Sequence, residues 1–152
     1  MASKAQAGRK TVVSIGGAVG SGNEATMVVI GEVNAVPLKA PKWNFEDVTS
    51  FDSDLDMEYL TTIRGDGSAT LTTNRVGSDD GQKAVQDAAA DGQLYPFKIV
   101  LPKAQGQSTT GDSITFNAYV LSTGDIDIAP TKKIGLSIDL KISGAVNTTA
   151  GS

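Results

Sequence analysis

Apolar and polar residues alternate along several short stretches of the chain, a pattern typical of strands with one buried face. The clearest stretch is 134–142, where every even position is Ile or Leu and the odd positions are Gly, Ser, Asp and Lys. The same period of two occurs at 69–73, 97–101 and 114–120. A β-branched run at 26–34, bounded by turn-forming residues, predicts a further strand.

A single helix is predicted after residue 78. Ser78 or Asp79 can cap its first turn, and Gln82 follows Asp79 by three residues, the spacing of a capping box. An apolar stripe of small side chains has helical spacing, and Gly92 is placed to end the helix. The stripe consists of Ala84, Val85, Ala88 and Ala89. Its small side chains predict close packing against a sheet.

Residues 44–63 predict a long hairpin or protruding loop that carries six acids and, up to Ile63, no Lys or Arg. The acids are Glu46, Asp47, Asp52, Asp54, Asp56 and Glu58. Without another chain nearby, such a segment repels itself. With one, it could pair with basic residues such as Arg9, Lys10, Arg64 or Arg75; alternatively, it lines a surface from which DNA phosphates are kept away.

The order of these elements predicts an α+β fold that is mainly β, with an antiparallel β-sandwich or barrel flanked by one α-helix. We expect a flexible, Gly- and Ala-rich N-terminal arm at 1–24, the folded domain at 25–147, and a disordered C-terminal tail at 148–152. No secretory signal or membrane-spanning segment is expected, so the chain should fold in a cytoplasm.

Composition argues against catalysis. The chain of 152 residues contains no Cys and no His, so thiolate chemistry and the commonest neutral-pH base and metal ligand are missing. The formal net charge of −4 disfavours attraction to nucleic acid. We therefore predict no enzymatic activity, no cofactor and no dedicated metal site.

Three motifs that suggest other functions lack essential residues. The glycine cluster ending at Gly22 is followed by Asn23 and not by the Lys and Ser/Thr of a phosphate loop. The run of alternate acids that starts at Asp52 lacks the Gly and the final Glu of a calcium loop, where Met57 and Ile63 stand. A looser cation site on these acids, or a glycosidase pair with few aromatic platforms, stays a minor alternative to a solvated acidic surface.

Six segments follow one another in a characteristic order. In chain order they are Val48-Thr49-Ser50-Phe51-Asp52-Ser53, Gly67-Ser68-Ala69-Thr70-Leu71-Thr72, Asp80-Gly81-Gln82-Lys83-Ala84-Val85, Phe97-Lys98-Ile99-Val100-Leu101-Pro102, Gly111-Asp112-Ser113-Ile114-Thr115-Phe116-Asn117-Ala118-Tyr119-Val120, and the alternating strand that ends at Gly144. This order resembles that of the major tail tube proteins of long-tailed, non-contractile bacteriophages, as in lambda-like tail tube subunits. The resemblance covers about 26–146 and is one of order and spacing.

The resemblance implies a structural virion protein, assembled in the host cytoplasm, whose hexameric rings stack into a tail tube for DNA passage. Implied partners are other copies of the chain, tape-measure protein, and tail terminator or tip proteins, with DNA crossing the lumen unbound. The residues expected at inter-ring or lumen contacts are Glu46, Asp47, Asp52, Asp54, Asp56, Glu58, Arg64 and Asp139. The alternative is an immunoglobulin-like decoration or adhesion module, which shares the strand pattern.

Overall fold

The computed structural model describes residues 8–152, which form twelve strands and one helix. The first seven strands are β1 (Val12–Ile15), β2 (Val28–Ile30), β3 (Val33–Ala35), β4 (Leu38–Lys39), β5 (Lys42–Asp47), β6 (Tyr59–Gly65) and β7 (Ser68–Asn74). Helix α1 (Asp80–Asp91) follows. The remaining strands are β8 (Leu94–Val100), β9 (Ser113–Val120), β10 (Asp125–Asp127), β11 (Gly135–Ile142) and β12 (Asn147–Thr149).

Ten of the strands form one curled antiparallel sheet in the order β2-β1-β8-β9-β11-β7-β3. The short strands β10, β12 and β4 pair with β11, β9 and β7 respectively. Strands β5 and β6 form a separate two-stranded sheet. The predicted fold class, α+β and mainly β, is confirmed.

The core fills the concave side of the curled sheet and follows the predicted alternation. In β7 and β11 every second residue is buried, because those side chains point to one face of the sheet. Phe97 of β8 stacks on Phe116 of β9, with 5.6 Å between ring centroids. These strands were predicted from their pattern alone, and their buried residues are the predicted ones.

A sharp corner at Gly31 and Glu32 joins the two ends of the sheet. The stretch 26–34 was predicted as one strand, and this prediction is wrong. Glu32 has a positive φ of 59°, so the chain leaves β2 at one end of the strand order and enters β3 at the other. The amide of Asn74 donates to the Glu32 carbonyl over 2.9 Å, and the Asn74 side chain donates to the Glu32 carboxylate over 3.0 Å.

Helix α1 begins and ends as the sequence predicts. The Asp79 carboxylate accepts from the Gln82 amide over 2.9 Å, and Gly92 ends the helix in the left-handed conformation. Gly81 faces the backbone of β2 so closely that an added Cβ would overlap Val29 and Ile30. Gly81 therefore lets the first turn of the helix lie directly on the sheet.

Gln82 ties the helix to the corner of the sheet. Its side chain is almost fully buried. Its amide nitrogen donates to the carbonyls of Gly31 and Asn74 over 3.0 and 2.9 Å, and its oxygen accepts from the Val76 amide over 3.0 Å. The capping-box role predicted from its spacing is wrong, because the side chain reaches these three backbone groups and not the amide of Asp79, which donates to the Val76 carbonyl.

The predicted N-terminal arm at 1–24 is partly a strand of the core. Its first seven residues lie outside the described residues. Strand β1 lies between β2 and β8, and its side chains Val13 and Ile15 are buried. The glycine-rich segment after it is tied to the domain by backbone bonds from Gly16 to Pro96 and from Val19 to Leu94. Glycine at 16 is a packing requirement there, since a Cβ would overlap Glu24 and Pro96.

The predicted C-terminal tail at 148–152 is also ordered. Strand β12 pairs with the first residues of β9. The Ser152 carbonyl then accepts backbone bonds from Ser108, Thr109 and Thr110, and the Gly151 amide donates to the Asp112 carboxylate over 2.8 Å. The polar loop before β9 therefore supplies hydrogen-bond partners for the backbone of residues 151 and 152. Such long-range partners cannot be recognised from a short sequence pattern.

We expect Gln82→Met to destabilise the domain by about 3 kcal/mol, because the shape is retained while three backbone groups lose their partner. Gln86→Met, one turn later on the same helix and half-buried, is the matched control and should change stability by about 0.5 kcal/mol or less. Urea unfolding followed by circular dichroism measures both. Equal stability of the two variants would contradict the role given to Gln82.

We also expect the hydrogen bonds that the Asp112 carboxylate accepts from Gly151 and Gln107 to weaken in acid. Bonds from the Gly151 amide and the Gln107 side chain hold the pKa of Asp112 below its ordinary value of 3.8. Its stabilisation is therefore present above that pH and is lost as pH falls through the lower folded-state pKa. Asp112→Asn carries no charge, so the wild-type chain should lose more stability than this variant on acidification from about pH 6 to about pH 3. Equal losses in urea unfolding would contradict this assignment.

Candidate assembly surface

Large exposed apolar side chains are concentrated on the hairpin of β5 and β6 and its connecting loop. Every residue of β5 and all but the last of β6 are exposed. Its strands pair in antiparallel register from Lys42 opposite Gly65 to Asp47 opposite Tyr59. The predicted hairpin is confirmed. Because it forms its own sheet, it adds no side chain to the buried core.

One face of the hairpin is aromatic. The rings of Phe45 and Tyr59 meet edge to face, with centroids 6.4 Å apart. The Arg64 guanidinium lies 5.3 Å from the centre of the Trp43 ring, a distance at which a cation is attracted to an aromatic face. Ile63 of β6 is 71% exposed. Such a face, rimmed by charge, is typical of a protein–protein contact.

The loop between the two strands, residues 48–58, carries the acids and further apolar residues. Asp47 starts the loop and accepts from the Thr49 amide over 2.9 Å. Bonds from the Thr49 hydroxyl and amide hold the pKa of Asp47 below its ordinary value, so this acid stays charged at neutral pH. Glu58 closes the loop and accepts from the Ser53 hydroxyl over 2.9 Å.

Seven of the eight predicted contact residues lie on this hairpin. Glu46 and Asp47 are in β5, Arg64 is in β6, and Asp52, Asp54, Asp56 and Glu58 are in the connecting loop. Asp139 is the exception, since it lies in β11 of the main sheet and accepts from the Thr70 hydroxyl over 3.0 Å. Among residues 8–152, no group of three or more acidic side chains is placed to hold a metal ion.

The apolar side chains of the hairpin were not predicted as contact residues. They are Trp43, Phe45, Phe51, Leu55, Met57, Tyr59, Leu60 and Ile63, and each is more than half exposed. Their signal is in the sequence, because odd positions from Phe51 to Met57 are mostly apolar while Asp52, Asp54 and Asp56 alternate with them.

A second surface is the convex face of the main sheet around Asp139. It carries the side chains that alternate with the core, mainly hydroxyl and amide groups of β7, β9 and β11. Asp139 and Lys141 supply its charge on β11, and Lys141 lies 3.8 Å from Asp66. This face is polar and has little net charge, unlike the hairpin.

No helix among residues 8–152 is both long and apolar enough to pass through a membrane. No family model matches the sequence, and no curated protein matches it either.

Solved structures do match the fold. The tail of an empty gene transfer agent particle, refined with C6 symmetry, has 19% identity and a TM-score of 0.70, covering 96% of this chain and 100% of that one. The SPP1 tail tube has 14% identity and a TM-score of 0.69, covering 96% of this chain and 80% of that one. A chain of the anti-feeding prophage baseplate has 12% identity and a TM-score of 0.67, covering 99% and 98%. The chain has the tail-tube fold.

Proposed function

We propose that the chain is a structural subunit that associates with copies of itself into six-membered rings, which stack into a tail tube for DNA. The observation that carries this proposal is the hairpin of β5 and β6, whose large apolar side chains are exposed and lie outside the buried core of the domain. The proposed place of the protein is the tail of a virion, assembled in the host cytoplasm.

The energetics of the hairpin support a partner. An isolated two-stranded sheet is at best marginally stable in water, so this hairpin needs an additional surface to pack on. Full burial of a large apolar side chain contributes about 1.5–3 kcal/mol. Eight such side chains on one projection, repeated in every subunit, suffice for a strong contact even after the entropic cost of association.

The ends of the main sheet support ring closure. Strands β2 and β3 are the terminal strands of the strand order, and Val28 and Val29 are exposed on β2. An edge strand offers unpaired backbone groups to a neighbour. A head-to-tail contact between two different surfaces closes into a ring when its rotation divides a full turn. The C6 symmetry of the gene transfer agent tail supports six subunits.

The composition supports a structural role and not a catalytic one. The chain has no His or Cys, and its clustered acids are exposed on the hairpin. The proposed partners beyond the chain itself are tape-measure protein and tail terminator or tip proteins. The matches to a virion tail and a baseplate support a place among several tail proteins.

The convex face around Asp139 is the proposed lining of the tube. A bore rich in Lys and Arg would hold DNA, since each phosphate contact releases counterions. The hydroxyl and amide groups of β7, β9 and β11 dominate this face, and the carboxylate of Asp139 offsets part of the charge of Lys98 and Lys141. In this arrangement the acids of the hairpin serve subunit contacts.

Ile63→Ser should raise the concentration needed for assembly by about tenfold, which corresponds to about 1.4 kcal/mol of lost apolar burial. Ile128→Ser is the matched control, because Ile128 is also 71% exposed but lies outside the hairpin. Sedimentation velocity and negative-stain microscopy at rising concentration measure the effect. A wild-type chain that stays monomeric throughout would refute the proposed function and favour a decoration module.

Asp139→Lys should make assembled tubes retain short duplex DNA, because a ring of added lysines faces the bore. Retention should fall steeply as salt is raised. Asp87→Lys, on the exposed side of α1, is the control for added charge elsewhere. Co-sedimentation of DNA with tubes measures both variants, and equal retention would place Asp139 outside the lumen.

A further inference from the structure

A groove of about 580 Å³ lies at the open side of the curled sheet, between the start of β1 and strand β3. Its apolar lining consists of Val13, Val33, Val36, Leu38, Ile99, Leu101 and Ile114. The volume is within the range of about 300–1,000 Å³ found for ligand sites in proteins. This is a concave, open and mainly apolar surface that the proposed function has not used.

The rim of the groove is basic. Arg9 and Lys10 line it and are exposed, and none of the described residues that line it is acidic. Strand β3 is the terminal strand on this side, so its backbone edge borders the groove. The site therefore offers an apolar floor, two cations and a strand edge, which together suit an extended peptide with apolar and acidic residues.

The hairpin loop of this chain has that composition. Phe51 is 109% exposed, Leu55 is 99% exposed and Met57 is 61% exposed, while Asp52, Asp54 and Asp56 occupy the positions between them. In an extended chain, alternate side chains point to opposite sides. The loop then presents one apolar face and one acidic face.

We propose that the groove receives the hairpin loop of a second copy of the chain, bound in extended form. Phe51, Leu55 and Met57 lie on the apolar floor, and the carboxylates between them face Arg9 and Lys10. This inference rests on the proposed function and names the surface that accepts the hairpin.

The loop must lose its turn at Ser50–Ser53 in order to bind in extended form. In the isolated chain the turn is held by bonds from the Ser53 amide to the Ser50 carbonyl and from the Ser53 hydroxyl to Glu58. The Ser50 amide also donates to the Ser53 hydroxyl, and the Asp52 amide donates to the Ser50 hydroxyl. These bonds are exposed to water, so exchanging them for bonds to the β3 edge costs little. The burial of three apolar side chains and the pairing of opposite charges favour the bound form.

Because the chain contains no cysteine, any disulfide that forms must join cysteines introduced by substitution. A chain with Leu55→Cys, mixed with a chain carrying Ala35→Cys in the groove lining, should form a mixed disulfide dimer under mild oxidation. Leu55→Cys mixed with Ala90→Cys, an exposed position on α1, is the control and should form at least about tenfold less. Equal yields in the two mixtures would overturn the proposal.

Charge exchange provides the second test. Two double variants reverse the charge on one side of the contact each: Arg9→Glu with Lys10→Glu, and Asp54→Lys with Asp56→Lys. Each should raise the concentration needed for assembly by about tenfold. A chain with all four changes should assemble at a concentration close to that of the wild type, because the opposite charges face each other again. If the wild-type chain assembles but none of these variants differs from it, the groove assignment fails while the proposed function stands. If the wild-type chain never assembles, both fail.

Discussion

The corner at Gly31 and Glu32 determines the shape of the domain, because it joins the two ends of one sheet. Strands β2 and β3 are first and last in the strand order, yet only two residues separate them, so the sheet has to curl until its ends are close. The curl leaves backbone groups at the corner that need partners. Asp79 accepts from the Gly31 amide over 3.0 Å, and Gln82 donates to the Gly31 carbonyl. Helix α1 therefore lies where the curled sheet needs hydrogen bonds as well as apolar cover.

This architecture divides the chain into a part that is stable alone and a part that is not. The concave face of the sheet, covered by α1, buries one continuous cluster of apolar residues. The hairpin of β5 and β6 projects from this unit and buries none of its own large side chains. Under the proposed function, neighbouring copies stabilise this hairpin, so that assembly and the ordering of the hairpin occur together. The chain would then combine a rigid body with a segment whose apolar surface is buried by another subunit.

The sequence predicts an element where its physical cause is local. Strands β7, β8, β9 and β11 show alternation because one of their faces is buried, and α1 shows its caps because helix ends need partners. Strand β1 was missed because its four residues are too short to show a period and their partners in β8 lie more than 80 positions away. The corner was missed for a similar reason, since Glu32 adopts a left-handed conformation that depends on Asn74 and on the helix. On the hairpin, the acids were visible in the composition, but the importance of the apolar residues between them appears only once their exposure is known.

The mixture of acids and apolar residues on the hairpin loop selects which surfaces it can meet. Apolar side chains alone would favour contact between two loops, which would place identical surfaces together and block a head-to-tail arrangement. The carboxylates of Asp52, Asp54 and Asp56 oppose that contact, because like charges repel at distances shorter than the screening length of about 8 Å in physiological salt. The groove has a basic rim around its apolar floor, so there the interaction of the carboxylates with their surroundings is attractive. The same carboxylates that oppose pairing of two loops therefore favour binding to the groove. The acidic residues therefore give the contact its direction, and the apolar residues supply most of its free energy.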